Sequence, residues 1–572
     1  MTTIKIICTE ILIIFVAIMA QAQKVKTSFC NPLNLNYRFQ LEEPSRREAA
    51  DPSVIFFKDR YYLFASKSGG YWHTKDLINW TFVETNQIPT EEYAPTAIAI
   101  NDTVYFLASS EKKSTIYKSH DLLSGKWQIA KDSLDFPVWD PAFFLDEDQR
   151  LYFYWGCSPY IPIRGIELDY HNNFKMIGKP IDLIKINVKS HGWEVSGDYN
   201  DRPKIYTWIE GAWMNKYNGK YYLQYSGPGT QYKSYTDGVY VAENPLGPFQ
   251  VQKHNPFSYK PEGFINGAGH GSTFSDSWGN FWHMGTMSIS VKHNFERRLG
   301  LWPAFFDKDG TFYTYTAYGD FPHELPKGKM KSLEDYQPKW MLLSYNKPVE
   351  VSSSLEGYSK GNAVNEDIRT YWSAASGEKG EWFMIDLLEK CNVYALQVNF
   401  AEQQSTLLGR SDSIYYQYKI ESSSDKRNWK TIVDKTQNKN DCPNDYIELD
   451  KKVNTRYLRI VNYRVPSGNF AISGFRVFGN GNGKKPVPVN VLSLNRKEDR
   501  RSVVVSWDEN KNAMGYTICY GVEKDKLYQS YQVYGDTTVT INSLNSELPY
   551  YFTIESFNEN GITRCNQTRM VK

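Results

Sequence analysis

Between residues 51 and 283 apolar and polar positions recur in one order five times: an apolar strand, a polar turn, then an aromatic strand. The copies open Asp51-Pro-Ser-Val-Ile-Phe-Phe, Ala94-Pro-Thr-Ala-Ile-Ala-Ile, Asp140-Pro-Ala-Phe-Phe-Leu, Glu210-Gly-Ala-Trp-Met-Asn and His270-Gly-Ser-Thr-Phe-Ser. Each reads as a β-hairpin. Their starts lie 43, 46, 70 and 60 residues apart, against about 40–50 residues for a propeller blade. The surplus in the last two intervals reads as insertions at 187–206 and 253–269. A second strand pair follows most hairpins, at His73 to Trp80, Lys118 to Trp127 and Val241 to Phe249. Four strands per blade and five blades result, and helical periodicity is nearly absent from 34 to 325.

Beyond a Lys-rich linker at 327–331 the pattern changes. From 340 to 479 several strand-like runs, among them Trp382-Phe-Met-Ile-Asp-Leu387 and Arg456-Tyr-Leu-Arg-Ile460, suit an antiparallel sandwich. A Gly- and Pro-rich seam at 479–488 precedes a last unit at 486–572, with runs at 503–507, 515–520 and 550–558. In that unit Leu544 stands six residues before Tyr550, the spacing of a tyrosine corner in a small sandwich. The expected class is all-β: a five-bladed β-propeller at 34–326 followed by two β-sandwich domains. A chain of 572 residues is long enough for about three or four domains.

Composition narrows the partners. Aromatic residues make up 15% of the chain, with 42 Tyr and 16 Trp, and their flat faces suit sugar rings as well as cross-strand pairs. A net charge of +2 carries no basic surplus for nucleic acid or an anionic membrane. No obligate protein partner is inferred. Residues 1–22 combine Lys5, an apolar run from Ile11 to Met19 and Ala20-Gln21-Ala22, the pattern of a signal peptide. The mature chain is expected to be soluble and exported, to the periplasm or beyond the cell. Six cysteines remain after cleavage. Cys391 with Cys442, and Cys519 with Cys565, are candidate disulfides only because each pair falls within one unit.

Equivalent repeat positions occupy equivalent places around a closed ring, so Asp51, Asp140, Glu210 and His270 are expected to converge. Like charges a few ångströms apart raise at least one pKa, leaving one carboxyl protonated. That meets the requirement of glycoside cleavage, in which one carboxylic acid protonates the leaving oxygen and an opposed carboxylate activates water or attacks. Trp72, Trp139 and Trp208 are candidate sugar-stacking residues, two flanking the acidic strands and one following the first hairpin. Glu194 and Asp198, in the insertion before blade four, fall outside the repeat register and are left out of the catalytic set.

With Ala-Asp51-Pro-Ser, Trp-Asp140-Pro-Ala and Ile-Glu210-Gly-Ala in order and in register, the blade region resembles glycoside hydrolase family 43 over roughly 290 residues. The resemblance implies an inverting mechanism with Asp51 as general base, Glu210 as general acid and Asp140 tuning and orienting Glu210. It also implies a substrate-binding arginine, placed at Arg298 with Arg297 as the alternative, and His270 beside the substrate. No cofactor is implied as essential. A structural calcium ion is an expectation, in the propeller channel beside His270, which is itself a candidate metal ligand, or in the second unit. Residues 340–479 resemble the discoidin-like domain and carbohydrate-binding module family 32, and 486–572 resemble fibronectin type III. The implied function is an exo-acting α-L-arabinofuranosidase on polysaccharide or oligosaccharide. A β-D-galactofuranosidase, a β-xylosidase and a non-catalytic glycan-binding protein are the alternatives.

Overall fold

The computed structural model describes residues 26–572 apart from 112, 113, 135, 332, 490 and 491; the leader proposed at 1–22 lies outside the described residues. Among the described residues, five antiparallel four-stranded sheets follow one another, each taken from one continuous stretch of chain. Their inner strands are Ser53–Phe57, Thr96–Ile100, Ala142–Leu145, Glu210–Tyr217 and Gly269–Ser275. Each packs against the next and the last against the first, so the sheets close into a five-bladed propeller.

The sequence explains both the hairpins and the closure. In blade four Asn218 and Gly219 hold φ of 48° and 79°, the left-handed pair that a tight two-residue turn needs. Inner strands of neighbouring blades splay apart and form no common ladder. Hydroxyl side chains bridge them instead. Ser53 Oγ accepts the Ala97 N–H at 3.1 Å, Thr96 Oγ1 accepts the Phe143 N–H at 3.2 Å, and Ser272 Oγ accepts the Val54 N–H at 3.1 Å. The last of these ties blade five to blade one, where Val54, Leu63, Trp282 and Met284 share one apolar cluster.

Residues 341–480 form a sandwich built on the long strands Trp382–Phe400 and Asn444–Arg464, around a core that includes Trp372, Phe383 and Phe475. The C-terminal unit is a second sandwich, a three-stranded sheet beside a five-stranded one. Its Tyr550 hydroxyl accepts the Asn545 N–H at 2.8 Å, as a tyrosine corner does. The six described cysteines are free, against the pairing considered from sequence. Cys565 packs into the C-terminal core with Ile518 and Tyr520; Cys519 lies between those two on the strand and so faces the other way.

Buried charges lock the domains together. Arg47, on the segment leading into blade one, is fully buried and pairs with Glu402 and Asp441 of the second domain, reaching Asp441 Oδ2 at 2.6 Å. Arg476 pairs with Glu366 at 2.7 Å and also donates to the Asp320 carbonyl at 2.6 Å. No helix among the described residues is long and apolar enough to cross a membrane.

Candidate active site

At the start of each inner strand the chain turns a corner through left-handed backbone, ahead of the strand at Asp51 (φ 52°), Ala94 (45°) and Asp140 (49°) and at its second residue at Gly211 (62°) and His270 (41°). Two residues later each enters its ladder, at Ser53↔Phe64, Thr96↔Leu107, Ala142↔Tyr154, Trp213↔Gln224 and Ser272↔Met284. This corrects the repeat register in blade four. Gly211 holds the corner there, and Glu210 stands one residue ahead of it on an irregular strand start. Non-glycine residues pay for left-handed backbone, so the corners need support. Hydroxyls from neighbouring blades supply it: Thr286 accepts the Asp51 N–H (2.8 Å), Ser66 that of Ala94 (2.7 Å), Ser109 that of Asp140 (2.9 Å) and Ser226 that of His270 (2.7 Å).

These corners bring the predicted quartet together. Asp51 is 5% exposed. Its Oδ2 accepts from Ser66 Oγ at 2.5 Å, and its Oδ1 faces Arg297 Nη1 at 3.2 Å and His270 Nδ1 at 3.3 Å. Burial pushes this carboxyl up, but the guanidinium, the imidazole and the Ser66 hydroxyl outweigh burial and hold it below the ordinary aspartate value. Asp140 lies on the other side of His270, with Nδ1 to Oδ2 at 3.7 Å. Burial first, then the negative charges of Glu210 and Asp51, push Asp140 up to about 7 despite the imidazole. Glu210 is anchored at both oxygens: the Tyr235 hydroxyl donates to Oε1, and Cys157 Sγ lies 3.2 Å from Oε2. Asp140, Cys157 and Glu210 each place one atom within 4.8 Å of the others.

Other predicted residues land differently. Arg298 does not reach the carboxyl cluster; it donates to Asn444 Oδ1 at 3.2 Å and to the Arg47 carbonyl at 2.9 Å, at the contact with the second domain. Neighbours on a strand face opposite sides, so Arg297, the alternative, is the arginine that meets Asp51, with Glu48 behind it at 2.5 Å. Trp72 is 1% exposed, donates to Asn36 Oδ1 at 2.6 Å and packs in the core shared by blades one and five, which removes it from the stacking candidates. Trp139 and Trp208 remain open, at 41% and 42% exposure. Backbone bonds join their segments, from the Gly156 N–H to the Trp139 carbonyl and between Ser158 and Ile209. Exposed Tyr160 and Tyr206 meet edge to face beside them.

Sequence comparison bears on the same stretch. Residues 45–312 match the family model described as glycosyl hydrolases family 43, and residues 348–473 match the F5/8 type C domain. Residues 45–312 are a family 43 glycosyl hydrolase domain. A β-xylosidase of Xylanibacter ruminicola is 30% identical over 134 residues, covering 20% of this chain and 39% of the relative. An arabinoxylan arabinofuranohydrolase of Paenibacillus polymyxa is 30% identical over 161 residues, covering 26% and 23%. The chain thus spans well under half the length of these curated relatives. A solved structure described as a glycoside hydrolase aligns at 18% identity and a TM-score of 0.45, covering 78% of this chain and 99% of that one.

The family 43 domain also limits where a metal fits. Calcium takes about six to eight oxygen ligands. Next to Asp140 and Glu210 it would meet a thiol that burial, and then those two acids, hold far above its ordinary pKa, hence protonated. At His270 burial disfavours the charged ring, but Asp51, Asp140, Glu210 and Asp237 outweigh it and raise the imidazole. His270 Nδ1 faces Asp51 Oδ1 at 3.3 Å and Asp140 Oδ2 at 3.7 Å, and imidazole is a poor partner for calcium, which prefers oxygen. Sequence reading also passed over Tyr235, Cys157, Ser66 and Glu48. Cys157 had a readable signal: it follows Gly156, which fills the place where Ser66, Ser109, Ser226 and Thr286 carry hydroxyls in the other blades.

Proposed function

We propose that this chain is an exported, inverting, exo-acting glycosidase that removes terminal α-L-arabinofuranosyl units from polysaccharide or oligosaccharide. The observation that carries the reading is the split among converging carboxyls, Asp51 held ionised by Arg297 and His270 while Asp140 is pushed up to about 7. A carboxylate held charged, opposite an Asp140–Glu210 pair that keeps one proton to near neutral pH, is what base and acid roles require. Asp51 then takes the proton of the attacking water. Glu210, partly exposed and held by Tyr235 and Cys157, protonates the departing oxygen, and Asp140 adjusts the charge beside it. Trp139 and Trp208 offer ring faces to the sugar, and Arg297 fixes the base. The leader-like residues 1–22 support export, and the C-terminal sandwich serves as a fibronectin type III-like module.

The names of the two curated relatives favour pentose substrates, and β-xylosidase or β-D-galactofuranosidase activity uses the same residues. A non-catalytic glycan-binding role would leave the opposite shifts of Asp51 and Asp140 without a task. The test is a panel of nitrophenyl glycosides with wild type, Asp51→Asn and Glu210→Gln. Wild type is expected to cleave a pentoside or galactofuranoside, and both variants to stay folded while losing about two to four orders of magnitude in rate. Near wild-type turnover in both variants would remove the mechanism.

A further inference from the structure

A cavity of about 760 Å³ opens where the propeller and both sandwiches meet, and none of Asp51, Asp140 or Glu210 lines it. Its walls include Tyr199 and Asp201 from the insertion before blade four, Lys233 from blade four, Asp367 from the F5/8 type C domain, and Tyr531 and Asp536 from the C-terminal sandwich. The volume lies within the range of about 300–1,000 Å³ usual for ligand sites.

The lining selects a chemistry. Acidic side chains outnumber basic ones six to three, which disfavours uronates, phosphates and other anions. Tyrosine offers flat apolar faces with a polar tip, and carboxylates accept strong hydrogen bonds from hydroxyl groups. Flat faces beside hydroxyl acceptors fit a neutral glycan. The walls are also held in place. The Gly192 N–H donates to the Leu544 carbonyl at 2.9 Å, Asn542 Nδ2 to the Tyr199 carbonyl at 2.7 Å, Arg501 Nη1 to the Val188 carbonyl at 2.7 Å, and Ser190 Oγ to Glu547 at 2.7 Å. Arg369 pairs with Asp198 at 3.0 Å from the second domain. The same insertion runs on through Tyr206 and Trp208 to Glu210, and Thr207 Oγ1 donates back to the Glu194 carbonyl at 2.6 Å. One segment therefore borders both the cavity and the aromatic rim of the acid site.

We propose that this three-domain cavity is a second glycan site, binding a neutral segment of the polymer whose ends the acid site trims; the identity of that polymer rests on the glycosidase reading. The full-length chain carrying Glu210→Gln is titrated calorimetrically with neutral linear pentose oligosaccharides. Two binding events are expected, and one when Tyr199→Ala and Asp367→Asn are added. On the wild-type background that pair is expected to keep turnover of a small nitrophenyl glycoside within about twofold, while KM for the polysaccharide rises about fivefold or more. Thr540→Trp, which fills the cavity from the opposite wall, is expected to reproduce both results. Unchanged stoichiometry and unchanged polymer KM in both cavity variants would overturn the proposal. If wild type cleaves nothing, the catalytic reading fails by itself, and the titrations still decide whether the cavity binds glycan.

Discussion

Asp51 and Asp140 occupy the same corner of the same repeat and are buried alike, yet their surroundings drive them in opposite directions, Asp51 below its ordinary value and Asp140 up to about 7. Asp51 has Arg297 at 3.2 Å; Asp140 has no guanidinium and shares its surroundings with Glu210. Interacting carboxyls release protons as a pair. Asp140, pushed up to about 7 by burial and by the charges of Glu210 and Asp51, keeps the pair's last proton to near neutral pH. Asp140→Asn takes away that titrating group and its charge, so the pair's last proton leaves at lower pH. The basic limb of kcat/KM is expected to move toward acid by about one pH unit, with kcat falling more than KM changes. A pH profile of the variant checks this, and an unmoved basic limb would show that Asp140 does not act through its charge.

The working element is the corner where a strand begins, together with the hydroxyl that holds it. Ser66 serves two corners, donating to Asp51 Oδ2 at 2.5 Å and accepting the Ala94 N–H at 2.7 Å. Ser66→Ala leaves that buried N–H unpaired. Denaturant unfolding is expected to show a loss of about 1–3 kcal/mol, with a fall in activity because Asp51 loses one of its anchors. The hairpins were legible because the same order of apolar strand, polar turn and aromatic strand survives in each copy. The place of Glu210 was not, because an irregular strand start shifts the count by one residue without changing the composition of the motif.

At the scale of the whole molecule, buried ion pairs join domains whose sequences show no sign of meeting. Arg47→Ala leaves Glu402 and Asp441 facing a vacancy. Removing one partner of a buried pair costs about 3–5 kcal/mol, so the thermal transition is expected to fall and the propeller and second domain to unfold separately in calorimetry. Acid has a related effect. The Glu402 carboxyl is buried, but Arg47 and other nearby cations hold it below its ordinary value; its contribution is present above the unfolded pKa and lost as pH falls through the folded one. The fivefold hairpin repeat, the two sandwiches after it and the corner positions of Asp51 and Asp140 are written locally, in the order of apolar, turn and aromatic residues. Long-range packing set the rest: Arg297 rather than Arg298 faces the acids, Trp72 is core, the six described cysteines stay apart and three domains enclose a cavity. Alternation says that neighbours point to opposite sides; which side is the axis depends on contacts between residues hundreds of positions apart.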